Sequence, residues 1–313
     1  MEDLLFSVNA VVPVFLMIGT GYLLSRMGVF TEPFLECANR ISFTVLLPVL
    51  ICYNIYTSDF RTAFDLNTIL FAVGGISAAF FLLWLIVPRF VKDNARRGVM
   101  IQGMFRCNYA LMGLPIAENL AGKEGAEMTA VAVAFVIPVL NVLSTIVLAH
   151  YSFAGKPDVR KVAKKVLLNP LIIASMLGIL MALTGFMPPQ AVTKAAASLG
   201  GTATPLALLV LGASFRFGEV KKNLLYIVFG SLTKTVFIPV VFLGLAILLG
   251  FSGIPYITLL TAFASPVAVS SYVMAVREKA DGELAGQLIV ITTAMSMITI
   301  FLFIYASRLM GIL

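Results

Sequence analysis

Two segments interrupted by proline carry small polar residues that could bind a ligand. They cover residues 106–118 and 261–272 and read RCNYALMGLPIAE and TAFASPVAVSSY. Short polar side chains beside each proline offer hydrogen bonds without the cost of burying a charge. The candidate substrate-binding residues in these segments are Asn108, Gly113, Pro115, Ser265, Pro266, Ser270 and Ser271.

The two prolines are expected to break the helices that contain them. A proline has no N–H and clashes with the carbonyl four residues back, so the backbone should loosen near Leu111 and Ala262. The half-helix after a break presents a partly positive N-terminus to an anion, and loosened carbonyls can coordinate a cation. The alternatives are a simple bend at each proline and structural hydrogen bonds between helices for each polar residue.

The elements that carry these segments are predicted to be membrane helices. Of the 313 residues, 60% are hydrophobic and 12% are charged, whereas a soluble domain carries about 25% charged residues. One soluble core cannot bury this apolar excess, so the chain is expected to be an integral membrane protein. Its acids are isolated, and its single histidine and three cysteines have no metal or redox spacing. These features argue against an intramembrane enzyme.

Ten apolar stretches are long enough to cross a bilayer core of about 30 Å. They cover residues 5–25, 34–56, 67–88, 98–121, 127–150, 167–187, 194–214, 224–249, 254–276 and 285–308. A basic linker at residues 151–165 separates a first five-helix repeat, residues 1–150, from a second, residues 166–313. The predicted fold class is an all-α integral membrane protein with ten transmembrane helices, of which helices 4 and 9 are broken and cross.

The basic residues predict the orientation of these helices. One side of the membrane would hold Arg26, Arg40, Arg89, Lys92, Arg96, Arg97, Lys156, Arg160, Lys161, Lys164, Lys165, Arg216, Lys221, Lys222, Arg277 and Lys279. The other side would hold only Arg61, Lys123, Lys194 and Arg308. Because basic loops stay in the cytoplasm, both termini are expected on the outer side of the plasma (inner) membrane. The net charge of +7 is then a topological signal, and no nucleic-acid partner is expected.

Prolines and glycines repeat between the two halves at one shared offset. Pro13, Gly21, Gly28 and Pro48 correspond to Pro170, Gly178, Gly185 and Pro205. Because each half has five helices, the second half must enter the membrane from the opposite side. The pattern therefore predicts an inverted repeat, in which paired interrupted segments mark the substrate site of a secondary transporter.

Ionisable and amide residues at membrane depth are further candidates. Lys234 is expected near an anion at mid-membrane, or else it reaches the inner surface. Arg106 is considered as an inner-leaflet anchor. Glu118 is a candidate to carry a coupled proton or to lie at the outer mouth, and Asn141 is a coupling candidate whose direction the sequence does not define.

The run Asn108-Tyr-Ala-Leu-Met-Gly-Leu-Pro115 resembles the asparagine-to-Gly-Leu-Pro signature of the auxin efflux carrier family. Asn169-Pro170 and the run PLALLVLG at residues 205–212 are also similar to this family. The chain departs from the usual pattern at Cys107, Tyr109 and Ala110, and at Glu118-Asn119. By position, Asp59 resembles an acidic residue of the plant carriers, although an ordinary loop charge is the alternative.

The resemblance implies a fold related to bile-acid transporters and sodium/proton antiporters. Helices 1, 2, 6 and 7 would form a scaffold and a homodimer face, and helices 3–5 and 8–10 would form the moving transport domain. The implied function is elevator-type secondary transport of a small organic anion, such as a carboxylate. A coupled proton or sodium ion is possible, and no other cofactor is expected. The alternative is a membrane receptor or scaffold that binds an organic anion without transporting it.

Overall fold

Every regular element of the described chain is a helix. The computed structural model describes residues 2–57, 64–152, 159–215 and 220–313. In chain order, the helices in these ranges are α1 (Glu2–Arg26), α2 (Glu32–Tyr56), α3 (Leu66–Phe90), α4 (Asn94–Phe105), α5 (Leu114–Ser152), α6 (Val159–Leu167), α7 (Pro170–Thr184), α8 (Gln190–Ser214), α9 (Val220–Leu248), α10 (Gly253–Ala264), α11 (Ser270–Arg277) and α12 (Gly282–Leu309). Helix α5 is kinked at Gly122, whose φ of 63° lies in the left-handed region.

Six described helices are long and apolar enough to cross a membrane: α2, α3, α5, α8, α9 and α12. Two shorter apolar helices are α7 and α10. The chain is therefore a multi-pass membrane protein. The ten-span arrangement stays a prediction, because several of the expected spans are short or broken helices.

In the part of the chain that the structure describes, three π-helical turns precede prolines. They cover Ser42–Leu46, Tyr109–Gly113 and Thr233–Phe237. Pro48, Pro115 and Pro239 each stand two residues beyond the end of such a turn. A proline cannot donate to the carbonyl four residues back, and in each case that carbonyl lies at the centre of the turn. The loosening expected near Leu111 takes this form.

The complete break between α4 and α5 lies before Pro115. The helix ends at Phe105, and Arg106 has an extended ψ of 130°. Pro115 itself stands in the first turn of α5, where a missing N–H costs little because that group has no partner within the helix.

The break between α10 and α11 lies later than the sequence predicted. The expectation of loosening near Ala262 was wrong by about a turn, because α10 continues to Ala264 and the chain is non-helical from Ser265. The physical reason is that the residue before a proline is forced toward extended backbone. Ser265, with ψ of 143°, is that residue.

Small residues allow α1, α2, α7 and α8 to pack closely. Helix α1 lies against α8, and α2 lies against both α7 and α8. A Cβ added at Gly21 would stand 2.1 Å from the carbonyl oxygen of Leu209, and one at Gly212 would stand 1.9 Å from that of Ile18. The two backbones therefore touch, and these four helices form one group, which we call the α1–α2–α7–α8 group.

Candidate functional site at the two helix breaks

The two breaks are in direct contact through their backbones. The N–H of Asn108 donates to the carbonyl oxygen of Pro266 at 2.8 Å, and the hydroxyl of Tyr109 donates to the carbonyl of Thr258 at 3.0 Å. A Cβ on Gly113 would stand 2.7 Å from the ring of Tyr109 and 3.3 Å from Cβ of Thr261. The glycine thus lets the first segment pack tightly on the second.

A cavity of about 580 Å³ separates this contact from the α1–α2–α7–α8 group. Its lining on one side comes from the first break, from mid-α5 and from Ala268, Val269 and Ser270 at the start of α11. The opposite side is lined by α1, α2 and α8, including Asn54 and Thr204. This size suits a small organic molecule, since ligand cavities range from about 300 to 1,000 Å³.

Arg106 is the charged residue among the described residues that line the cavity. Its side chain is 4% exposed, although the backbone turns at this point. One terminal nitrogen, Nη1, donates to the carbonyl of Leu140 at 3.1 Å and to Oγ of Ser144 at 2.9 Å. The other, Nη2, donates to Oδ1 of Asn141 at 2.8 Å and to Oγ of Ser270 at 2.9 Å.

The acceptors that hold Arg106 are all neutral. No ion pair found within the described ranges includes this guanidinium, and its Nε–H has no hydrogen-bond partner there. A buried charge without a counter-charge is costly, even when hydrogen bonds fix its orientation. The site is therefore electrostatically suited to an anion, and Nε–H is the guanidinium donor that has no acceptor within the described chain.

A chain of hydrogen bonds connects this site to the start of α7. The amide of Asn169, the N-cap of α7, donates to the hydroxyl of Thr145 at 2.8 Å. That hydroxyl donates to the carbonyl of Asn141 at 2.8 Å, and the side chain of Asn141 holds Arg106. This polar contact joins α5 to the α1–α2–α7–α8 group.

Lys234 lies at the other break rather than in the cavity. Its side chain is 1% exposed, so it does not reach the membrane surface. Its Nζ donates to the carbonyl oxygen of Phe263, near the end of α10, at 3.2 Å. The side chain of the lysine therefore contacts the backbone of the second broken segment.

The remaining predicted residues occupy different environments. The cavity is lined by Asn108, Pro115 and Ser270. Asn141 is not a lining residue, but its side chain accepts a hydrogen bond from Arg106. The packed contact between the breaks and its flanks contain the other four, Gly113, Ser265, Pro266 and Ser271. The hydroxyl of Ser265 donates to the carbonyl of Thr261 at 2.5 Å. The buried hydroxyl of Ser271 has no partner in the described chain. Glu118 is exposed and not among the described lining residues. Asp59 lies outside the described residues.

Arg106 is the candidate that the sequence reasoning undervalued. The sequence did contain a signal, because an arginine within an apolar stretch and far from any acid is a functional candidate by default. Its distance from the centre of that stretch favoured an anchor at the membrane surface. The extended backbone at Arg106 instead leaves the side chain buried beside the cavity.

Comparison with known proteins agrees with this architecture. Residues 6–304 match a family model described as membrane transport protein, which confirms the resemblance drawn from the Asn108–Pro115 run. An uncharacterized transporter from Methanothermobacter thermautotrophicus is 23% identical over 300 residues, covering 94% of this chain and 96% of the relative. Both findings point to a transporter rather than an enzyme. The chain belongs to the auxin efflux carrier family of membrane transport proteins.

Proposed function

We propose that the protein is a secondary transporter of a small organic anion, and that a carboxylate binds beside the two helix breaks. The observation that carries this proposal is the buried guanidinium of Arg106, which lines the cavity without an acidic partner in the described chain. An anion would supply the missing counter-charge. Its carboxylate would accept from the Nε–H of Arg106 and from the side-chain amide of Asn108, while the first turn of α11 adds its positive dipole end.

We propose a ten-span inverted repeat as the framework of this site. The matched glycines support it: Gly28 follows α1 with φ of 76°, and Gly185 follows α7 with φ of 68°. Helices α4 and α10 have equal length, at 12 residues each, and both end in extended backbone. In this proposal, Arg106 and Ser265, the first residues beyond these two helices, occupy corresponding places in the two halves.

In this proposal the α1–α2–α7–α8 group is the fixed scaffold. The remaining long helices hold the binding site and move it along the scaffold, across the membrane. The location of the cavity between the two groups supports an elevator-type movement. Both termini lie on the outer side, since the basic loops then face the cytoplasm. Exposed apolar residues on α7 offer a surface for lipid or for a second copy, and we propose a homodimer there; they include Ile173, Met176, Leu177 and Leu180.

The membrane potential gives the proposed transport a direction. Moving one charge across it contributes about 2.3 kcal/mol per 100 mV. A negative interior therefore drives export of an anion without a coupled ion, whereas uptake of a dicarboxylate needs coupled cations.

Flux in proteoliposomes tests the proposal. Radiolabelled mono- and dicarboxylates are expected to exchange across the membrane with purified protein and not with empty liposomes. An imposed potential should change the net flux. Binding of a carboxylate without any flux would favour a receptor or scaffold, and the absence of both binding and flux across the panel would reject an organic-anion site.

A further inference from the structure

The end of α10 leaves a backbone carbonyl without its helical donor. In an uninterrupted helix, the N–H of Val267 would donate to the carbonyl of Phe263. Here that N–H donates to the hydroxyl of Thr292 at 3.2 Å instead. The carbonyl of Phe263 is thus available at a half-helix C-terminus, where the helix dipole is negative.

Lys234 occupies the place of a donor to this carbonyl. Its Nζ lies 3.2 Å from the oxygen of Phe263, and the side chain is almost completely buried. None of the ion pairs within the described ranges includes it. In transporters with broken helices, such half-helix C-termini and unwound carbonyls are places that coordinate sodium ions or protons.

The position of the carbonyl is fixed by packing. The ring of Phe263 is stacked on Phe242 with centroids 4.9 Å apart, and it meets Phe71 edge-on at 6.2 Å. Gly75 makes room for this ring, since a Cβ there would stand 2.7 Å from it. An ammonium group that binds this carbonyl therefore meets a preorganised acceptor.

We infer that the ammonium group of Lys234 is a tethered cation that takes the place of a bound coupling ion at the end of α10. Anion binding at the neighbouring cavity then requires no metal cation. Lys234 is a positioning residue in this arrangement, because it fixes the second break and adds positive potential without touching the anion. The statement that anion binding requires no metal cation, the transport part of this inference, rests on the proposed function. The statement that the ammonium group replaces a bound ion at the carbonyl of Phe263, the cation part, does not.

Purified protein tests the cation part through thermal unfolding in choline, sodium and ethylammonium buffers. Truncation in Lys234→Ala leaves space and a free carbonyl, so sodium or ethylammonium should raise its melting temperature by at least about 2 °C over choline. The wild type and Lys221→Ala, an exposed lysine change on the same helix, should show no such difference. A Lys234→Ala variant indifferent to both small cations would overturn the inference.

Wild-type exchange tests the same inference without any variant. Carboxylate exchange in choline buffer free of sodium and potassium should proceed within about twofold of its rate in sodium buffer. A sodium requirement of about tenfold or more would overturn the tethered-cation role, even if Lys234→Ala does not fold. If no carboxylate exchanges under any condition, the proposed function fails, and the thermal experiment alone decides the role of Lys234.

Discussion

At the scale of single residues, the proposed anion binding depends on the guanidinium charge of Arg106, which has no acidic partner among the described residues. Arg106 is oriented by Leu140, Asn141, Ser144 and Ser270, all of which offer neutral oxygens. A nearby aspartate or glutamate would have neutralised the guanidinium and occupied the place of the proposed substrate carboxylate. Neutral acceptors fix its geometry and leave its charge available.

Asn141→Asp tests this reasoning, because it places a carboxylate within reach of Nη2 of Arg106. The new ion pair should compete with the substrate anion and weaken its binding by about 30-fold or more, equivalent to at least about 2 kcal/mol. Isothermal titration or a thermal-shift series with the bound carboxylate measures the effect. Asn119→Asp adds the same charge at an exposed position of α5 and should leave affinity within about twofold. Equal affinity in Asn141→Asp and the wild type would contradict the role of Arg106.

The sequence predicted the two interrupted segments that contribute to the lining of the cavity, but not the direction of each side chain. Asn108 and Pro115 could be predicted because prolines in apolar stretches mark backbone breaks. Ser265 and Ser270 could not be distinguished, since both are serines beside the same proline. The chain turns at Ser265 and begins a new helix at Ser270, so one hydroxyl faces backbone and the other faces Arg106.

At the scale of elements, close contacts between helix backbones position the cavity wall. Helices α1 and α8 approach through Gly21 and Gly212, where any side chain would overlap a carbonyl oxygen of the facing helix. In membranes, helices associate through such small residues because apolar side chains gain little by leaving lipid. The repeated glycines of the sequence predicted related helices, but the identity of the packing partners depends on the tertiary fold.

Gly21→Ala should destabilise the protein by about 1–3 kcal/mol, because its methyl group meets rigid backbone and the helices must separate. Gly19→Ala is the matched control two residues earlier on α1, where a Cβ would meet nothing within 4 Å. It should be neutral or slightly stabilising, since alanine favours a helix over glycine. Thermal unfolding in one detergent compares the two variants, and equal melting temperatures would argue against the tight α1–α8 contact.

At the scale of the whole molecule, the proposed transport requires two groups of helices to move past each other. The hydrogen bond between Thr145 of α5 and Asn169 of α7 crosses the boundary between them. The sequence predicted this division through family resemblance and through the pairing of its two halves. It contained no signal for the individual contacts across the boundary, because those join residues that lie far apart in the sequence, such as Thr145 and Asn169.

A cross-link at this boundary tests the movement. With Cys37, Cys52 and Cys107 replaced by serine or alanine, the pair Thr145→Cys and Asn169→Cys should be linked by an oxidant or by mercury. Linked protein should keep carboxylate binding but lose nearly all flux, and reduction or removal of the metal should restore it. Each single-cysteine variant is the control for the treatment. Full flux in completely linked protein would show that the groups need not separate.

The affinity of a transported carboxylate for Arg106→Gln shows whether the buried guanidinium binds the anion. A loss of about 30-fold or more is expected, because a charge-assisted hydrogen bond at a buried site is removed. Arg106→Lys should retain part of the affinity, and Arg26→Gln, at the exposed end of α1, should retain all of it. Unchanged carboxylate affinity in a folded Arg106→Gln protein would show that this guanidinium does not bind the anion.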